Sequence, residues 1–212
     1  MQTRGASFKE DIKTMMTKDF KLPDKKVKEI RDYCNTIYDT SRKMNVKDHI
    51  VDRKRDGKEI NLQGMGAEIW YKEKYGIPYN LDATLDEGPR TYKKDLDCLR
   101  NGYRLELKQT TYHTGCFFIE ALDHYGKTRK LIADMYVLVI GSFPKYYKDL
   151  YIGDISLTKK FFNKGSNLLE PTMHPKIRKF GYHAEQDEMY ETFEEALEAD
   201  GRTTKRNTST LS

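Results

Sequence analysis

The sequence predicts an α/β domain: a mixed central β-sheet flanked by helices, with a helical N-terminal region. Three observations predict it. Apolar residues keep a helical spacing through much of the first seventy-five residues, Asn101-Gly102 separates two short alternating runs, and residues 135–140 form an unbroken apolar run. Helical periodicity giving way to strand periodicity within one chain belongs to folds that layer helices on a sheet.

At 212 residues the chain is long enough to bury a real core and is expected to be one domain with extensions. The expected division is a basic helical N-terminal region at 1–60, a core at 61–160, a C-terminal basic loop and acidic helix at 161–200, and a disordered tail at 201–212. Charged residues make up 33% of the chain and hydrophobic ones 37%, which implies a highly charged surface. No apolar run approaches the roughly 18 residues of a membrane span, and the N-terminus lacks a signal-peptide core. The expectation is a cytoplasmic, non-secreted protein with no membrane partner. Cys34, Cys98 and Cys116 are odd in number and form no Cys-x-x-Cys pair, so they are read as reduced, mostly buried thiols.

In chain order, Phe8, Ile12, Met15 and Met16 keep one helical stripe, and Val27, Ile30, Cys34, Ile37 and Tyr38 keep another. Pro23-Asp24 marks the second helix start, with Asp24 as N-cap. These helices either pack on the core with Lys and Arg outward or form an arm that clasps DNA. The basic run Arg53-Lys54-Arg55-Asp-Gly-Lys58 reads as a turn, either merely solvated or in contact with phosphates. Residues 61–75 read as a helix closed by Gly76 and Pro78, with Leu62, Met65 and Ile69 on its buried stripe and Glu68 at the edge. Gly64 and Gly66 each cost about 1 kcal/mol in a helix relative to Ala, so another backbone or a ligand is expected to come close there.

Around Asn101-Gly102 the alternating runs read as a hairpin, because both residues of a tight two-residue turn take positive φ. Cross-strand partners then sum to 203, which puts Asp97 opposite Glu106 and Asp95 opposite Lys108. All four share one face, while Leu96, Cys98, Leu105 and Leu107 share the other. Three acids so close together repel one another, and Lys108 offsets only one charge. A hard divalent ion held by carboxylate and carbonyl oxygens is one remedy; cross-strand charge pairing on a solvated face is the other.

Residues 109–112 extend the second strand, and 116–119 read as strand or loop. Residues 127–133 suggest a helix, 135–140 a strand buried on both faces, and 149–155 its antiparallel neighbour. Ser156 or Thr158 caps a helix through Phe161 and Phe162. Residues 163–182 read as a basic loop carrying Lys164, Lys176, Arg178 and Lys179 beside His174 and His183. Thr192-Phe-Glu-Glu195 is a capping box that opens an acidic helix. Residues 185–200 hold eight carboxylates and no Lys or Arg, so against an overall charge of +5 the rest of the chain carries +13. That excess favours a polyanion partner. The 15 tyrosines either build the core or stack on bases of a single-stranded or flipped substrate.

The order of a helical Glu68, an Asp on a strand, Glu106-x-Lys108 on the next strand and then a buried strand resembles the PD-(D/E)XK nuclease superfamily. The resemblance covers roughly residues 61–157, and no Pro precedes the acidic strand residue. It implies a restriction-endonuclease-like core and a metal-dependent endonuclease that hydrolyses DNA, of restriction or homing type. A junction resolvase or phage-type recombination exonuclease is the alternative, and a non-catalytic nucleic-acid-binding module the alternative of another class. In that reading the catalytic set is Asp97, Glu106, Lys108, Glu68 and Asp95. Mg²⁺, or Mn²⁺ in its place, is held by Asp97, Glu106, the Leu107 carbonyl and Glu68, and Asp95 competes with Asp97 for the strand position. Duplex DNA is the implied partner, contacted by Arg53, Lys54, Arg55, Lys58, Gln109, Lys176, Arg178 and Lys179, with a homodimer where both strands of a symmetric site are cut.

Overall fold

In the computed structural model, residues 20–43, 56–81, 98–122, 126–127, 133–153, 172–174, 176 and 179–202 are described. Asn101 and Gly102 both take positive φ, at 53° and 83°, and close a hairpin between β1 (Cys98–Arg100) and β2 (Tyr103–Thr110). Its pairs are Cys98 with Leu105, Leu99 with Arg104 and Arg100 with Tyr103, the register summing to 203 that the sequence predicts. Asp95 and Asp97 lie outside the described residues.

Beside β2 runs β4 (Met135–Ser142), in parallel, with Glu106 level with Tyr136 and Lys108 level with Leu138. On the far side of β4, β5 (Lys145–Ile152) is antiparallel, which makes the four-stranded sheet β1-β2-β4-β5 mixed. The expected neighbour of β4 is therefore present, but it starts at Lys145 rather than Asp149 and carries a register shift near Gly141.

Three α-helices are present among the described residues: α1 (Asp24–Lys43), α2 (Gly57–Tyr75) and α3 (Phe193–Ala199). The Pro23 carbonyl accepts the Val27 N–H at 3.0 Å, so Asp24 stands in the first turn of α1 rather than at its cap. Helix α2 starts four residues earlier than 61. Asp56 is its N-cap and accepts the Lys58 N–H at 3.1 Å, which draws Lys58 out of the predicted basic turn and into the helix. At the other end Gly76 caps in the left-handed conformation, as expected. Thr192 and Glu195 form the predicted capping box on α3.

These helices cover one face of the sheet. Ile30, Tyr33, Cys34, Ile37, Leu62, Ile69, Trp70, Phe193 and Leu197 pack with Cys98, Leu105, Val137, Val139 and Tyr151 in one core. On the opposite face Tyr136, Leu138, Ile140, Leu150 and Ile152 form a second core with Phe117, Ile119 and Ala184. Because β4 feeds both cores, its side chains are apolar without alternation.

Covering that second face is another antiparallel sheet, β3-β7-β6, built from β3 (Phe117–Glu120), β6 (Thr172–Met173) and β7 (Phe180–Ala184). The open choice at 116–119 thus resolves as strand, and the predicted loop at 163–182 contains β6 and the start of β7. The predicted helices at 8–16 and around Phe161, and most of those at 127–133, lie outside the described residues.

Gly66 is where a second element comes close: an added Cβ would stand 2.6 Å from the Phe143 ring and 2.8 Å from the Tyr146 hydroxyl. That hydroxyl donates to the Gln63 carbonyl at 2.7 Å, so it is not free to retreat. Gly66→Ala is expected to destabilise by roughly 1–3 kcal/mol, through overpacking that outweighs the gain in helix propensity. At Gly64 nothing lies within 4 Å of an added Cβ, and Gly64→Ala is expected to stabilise by up to about 1 kcal/mol. Urea midpoints of the two variants check both signs.

On the outer face of β3-β7-β6, the His174 and His183 rings meet at 4.7 Å. The His174 Nδ1 accepts the Lys176 N–H at 3.2 Å, and its Nε2 lies 3.2 Å from Cys116 Sγ. Burial, and behind it the His174 ring, lowers the pKa of His183 below its usual value, against a weaker opposing pull from Glu185. The unfolded chain then protonates His183 first as pH falls. The stability from keeping it neutral is whole above about pH 6.5 and is lost as pH drops from there through the lowered folded-state value. His183→Gln is expected to flatten the fall in melting temperature between about pH 6.5 and pH 5. An unchanged profile would contradict this.

Candidate active site

Strand pleating puts Arg104, Glu106, Lys108 and Thr110 on one face of β2, and Leu105 and Leu107 on the helix-facing side. The Glu106 carboxylate and the Lys108 ammonium form an ion pair at 2.6 Å, with about a third of each side chain exposed. The neighbour level with Glu106 on β4 is Tyr136, which is fully buried and packed edge-on against Phe117 at 5.6 Å. Glu106 and Lys108 therefore stand at the border of the second core, where apolar packing holds the backbone and the charged tips keep contact with solvent.

The lower end of this strand is tied to β4 by reciprocal bonds. The Arg104 N–H donates to the Asp134 carboxylate at 2.8 Å, and the Asp134 N–H to the Arg104 carbonyl at 2.9 Å. Arg104 is exposed and shares the face of Lys108, a cation that the sequence reading passed over although spacing of two along the strand carries it.

Glu68 is half-buried on α2, and its charge acts on Cys34 of α1: burial first, then Glu68, pushes that thiol up to about 12. Gln109 is on the opposite side of the strand from Lys108, and its amide donates to the Gly141 carbonyl at 2.6 Å. Lys58 reaches back to Asp39 on α1 at 3.6 Å. Lys179 pairs with Glu120 on β3, and Lys176 is exposed. Arg53, Lys54, Arg55 and Arg178 lie outside the described residues. Of the predicted site, the structure thus joins Glu106 directly to Lys108.

Among the described residues, no group of three or more His, Cys, Asp or Glu side chains is placed to hold a metal ion. Of the ligands expected for a hard cation, Glu106, Leu107 and Glu68 are described, and Glu106 and Leu107 are consecutive on β2. Such a cation needs only one or two carboxylates when it keeps its waters. An open cavity of about 340 Å³ lies where α1 meets the end of α2, lined by Lys26, Glu29, Glu73 and Tyr79 among others, and includes neither Glu106 nor Lys108. Three of its charges are paired with one another, Lys26 lying 3.0 Å from Glu29 and 3.4 Å from Glu73.

Fold and site together define an α/β protein with a mixed central sheet that presents a Glu-x-Lys pair on the second strand of a hairpin. No protein-family model, curated protein or solved structure matches the chain. Among the described residues no helix is long and apolar enough to cross a membrane.

Proposed function

We propose that the chain is a metal-dependent nuclease of PD-(D/E)XK type, with a restriction-endonuclease-like core, that hydrolyses DNA phosphodiester bonds at the Glu106-Lys108 face. The observation that carries this reading is the 2.6 Å Glu106–Lys108 pair on a strand bracketed by a tight hairpin and a doubly buried parallel strand. Hydrolysis needs charge stabilisation at the scissile phosphate and a water held in line with the leaving oxygen. Lys108 is the group that would orient or deprotonate that water, and Glu106 with the Leu107 carbonyl would hold Mg²⁺ or Mn²⁺. The bound ion would supply Lewis-acid stabilisation of the phosphate. Asp97, or Asp95 in its place, is the proposed second carboxylate, and Glu68 an outer one. Duplex DNA is the proposed partner, and a twofold dimer the proposed assembly where both strands are cut.

The same ion pair also favours a second reading, a nucleic-acid-binding module in which Lys108 simply neutralises Glu106. A substrate panel separates the two: linear duplex, single strand, four-way junction and RNA, each with Mg²⁺, Mn²⁺ or EDTA. Metal-dependent cleavage of any DNA is the expected result. Binding without cleavage under all conditions would favour the module.

A further inference from the structure

Six of the thirteen described tyrosines, Tyr33, Tyr71, Tyr103, Tyr136, Tyr146 and Tyr151, are each at most 5% exposed. Tyr112 is the most exposed of the thirteen, at 67% against 52% for Tyr147, and lies two residues past the end of the strand that carries Glu106 and Lys108. Its backbone is held on both sides. The Tyr112 N–H donates to Thr110 Oγ1 at 3.3 Å, and its carbonyl accepts the Gly115 N–H at 2.9 Å. Gly115 approaches the Thr110 side chain so closely that a Cβ there would collide with it, which keeps the turn tight. The Gly115 carbonyl in turn accepts the Gln186 amide at 2.6 Å, anchoring the turn to the segment after β7. A solvent-facing aromatic ring on a pinned backbone offers stacking area at little entropic cost.

We infer that Tyr112 is a stacking platform for an unpaired nucleobase, and that the strand bound along this face is single-stranded or locally unpaired. The inference rests on reading the Glu106-Lys108 face as a nucleic-acid site and names its substrate form. Charge on the same strand fits such an occupant. Lys108 lies four residues before Tyr112, at most about 14 Å of chain away, and Arg104 is exposed on the same face as Lys108. Cations that track a phosphate backbone, joined to an aromatic ring that takes a base face, are the two components of single-strand recognition. Leu99, 58% exposed and paired with Arg104, adds apolar surface at the other end of the track.

The test is fluorescence anisotropy of a labelled oligothymidine strand and of a duplex of equal length, without Mg²⁺ or Mn²⁺, for the parent, Tyr112→Phe and Tyr112→Ala. The expected result is a loss of roughly tenfold or more in single-strand affinity for the alanine variant, retention within about twofold for phenylalanine, and little change on duplex. Equal binding by all three proteins, or equal losses on both probes, would overturn the inference. Metal-dependent cleavage by a parent whose binding ignores Tyr112 would overturn it and leave the nuclease reading standing. Tyr112-dependent binding without cleavage would do the reverse, and a parent that binds neither probe would remove both.

Discussion

Asp149→Ala is expected to cost about 3–5 kcal/mol of folding stability, the range for stranding a buried charge. Asp149 is 6% exposed and lies on the helix-facing side of β5, where its carboxylate accepts from Lys74 Nζ at 2.5 Å, from the Tyr75 hydroxyl at 2.6 Å and from the Tyr151 hydroxyl. The network continues: Arg100 donates to the Tyr71 and Tyr151 hydroxyls at 3.1 and 3.2 Å and pairs with Glu194 of α3 at 3.2 Å. The Arg100 guanidinium also lies over two rings, at 4.0 Å from the Tyr75 ring centre and 4.3 Å from that of Phe193. Removing Asp149 leaves Lys74, whose side chain is 15% exposed, without its counter-charge, and it takes the acceptor from two tyrosines. Total stability of such a domain is about 5–15 kcal/mol, so the loss is a large fraction of it. Replacing both partners, as Lys74→Met with Asp149→Leu, is expected to recover part of the loss, because no charge is then stranded. Urea denaturation of the single and double variants measures this, and a loss under about 1 kcal/mol for Asp149→Ala would contradict the buried network.

Lys108→Met is expected to lower the rate of DNA cleavage by roughly 10²- to 10⁴-fold, the contribution typical of a positioned proton-transfer group. The methionine keeps the length and apolar stem and loses only the ammonium, so packing on β2 should survive. Single-turnover rates in Mg²⁺ with unchanged melting temperature would assign the loss to chemistry. A rate within about twofold of the parent would mean that Lys108 only neutralises Glu106.

The hairpin was legible in the sequence because its chemistry is local. Asn101-Gly102 tolerates two positive φ angles, and the turn then sets every partner along both strands. The double burial of β4 was legible for a similar reason, since an apolar run without alternation has few other homes. The start of β5 was hidden because Lys145-Tyr-Tyr-Lys148 alternates poorly and is offset by the register shift at Gly141. The second sheet was hidden because β6 is two residues long and β7 carries Gly181 and His183 in place of an apolar stripe. At α2 a usable signal was present: Asp56-Gly-Lys-Glu59 has the spacing of a cap with an acid three residues on, masked by the basic residues before it. For the site, Glu106 and Lys108 followed from the strand period. The half-buried edge position of Glu68 on α2 followed from the helical period, but periodicity alone does not say which neighbour an edge residue meets.

The most direct test of a cleavage site at this face is nicking and linearisation of supercoiled plasmid in Mg²⁺ by the parent and by Glu106→Gln, each also assayed in EDTA. Glu106→Gln keeps the shape of the side chain and removes the charge that would hold the ion. The expected result is cleavage by the parent only, abolished by EDTA, with both proteins melting at the same temperature. Cleavage by Glu106→Gln at the parent's rate, or a parent that leaves both the plasmid and single-stranded DNA intact, would contradict it.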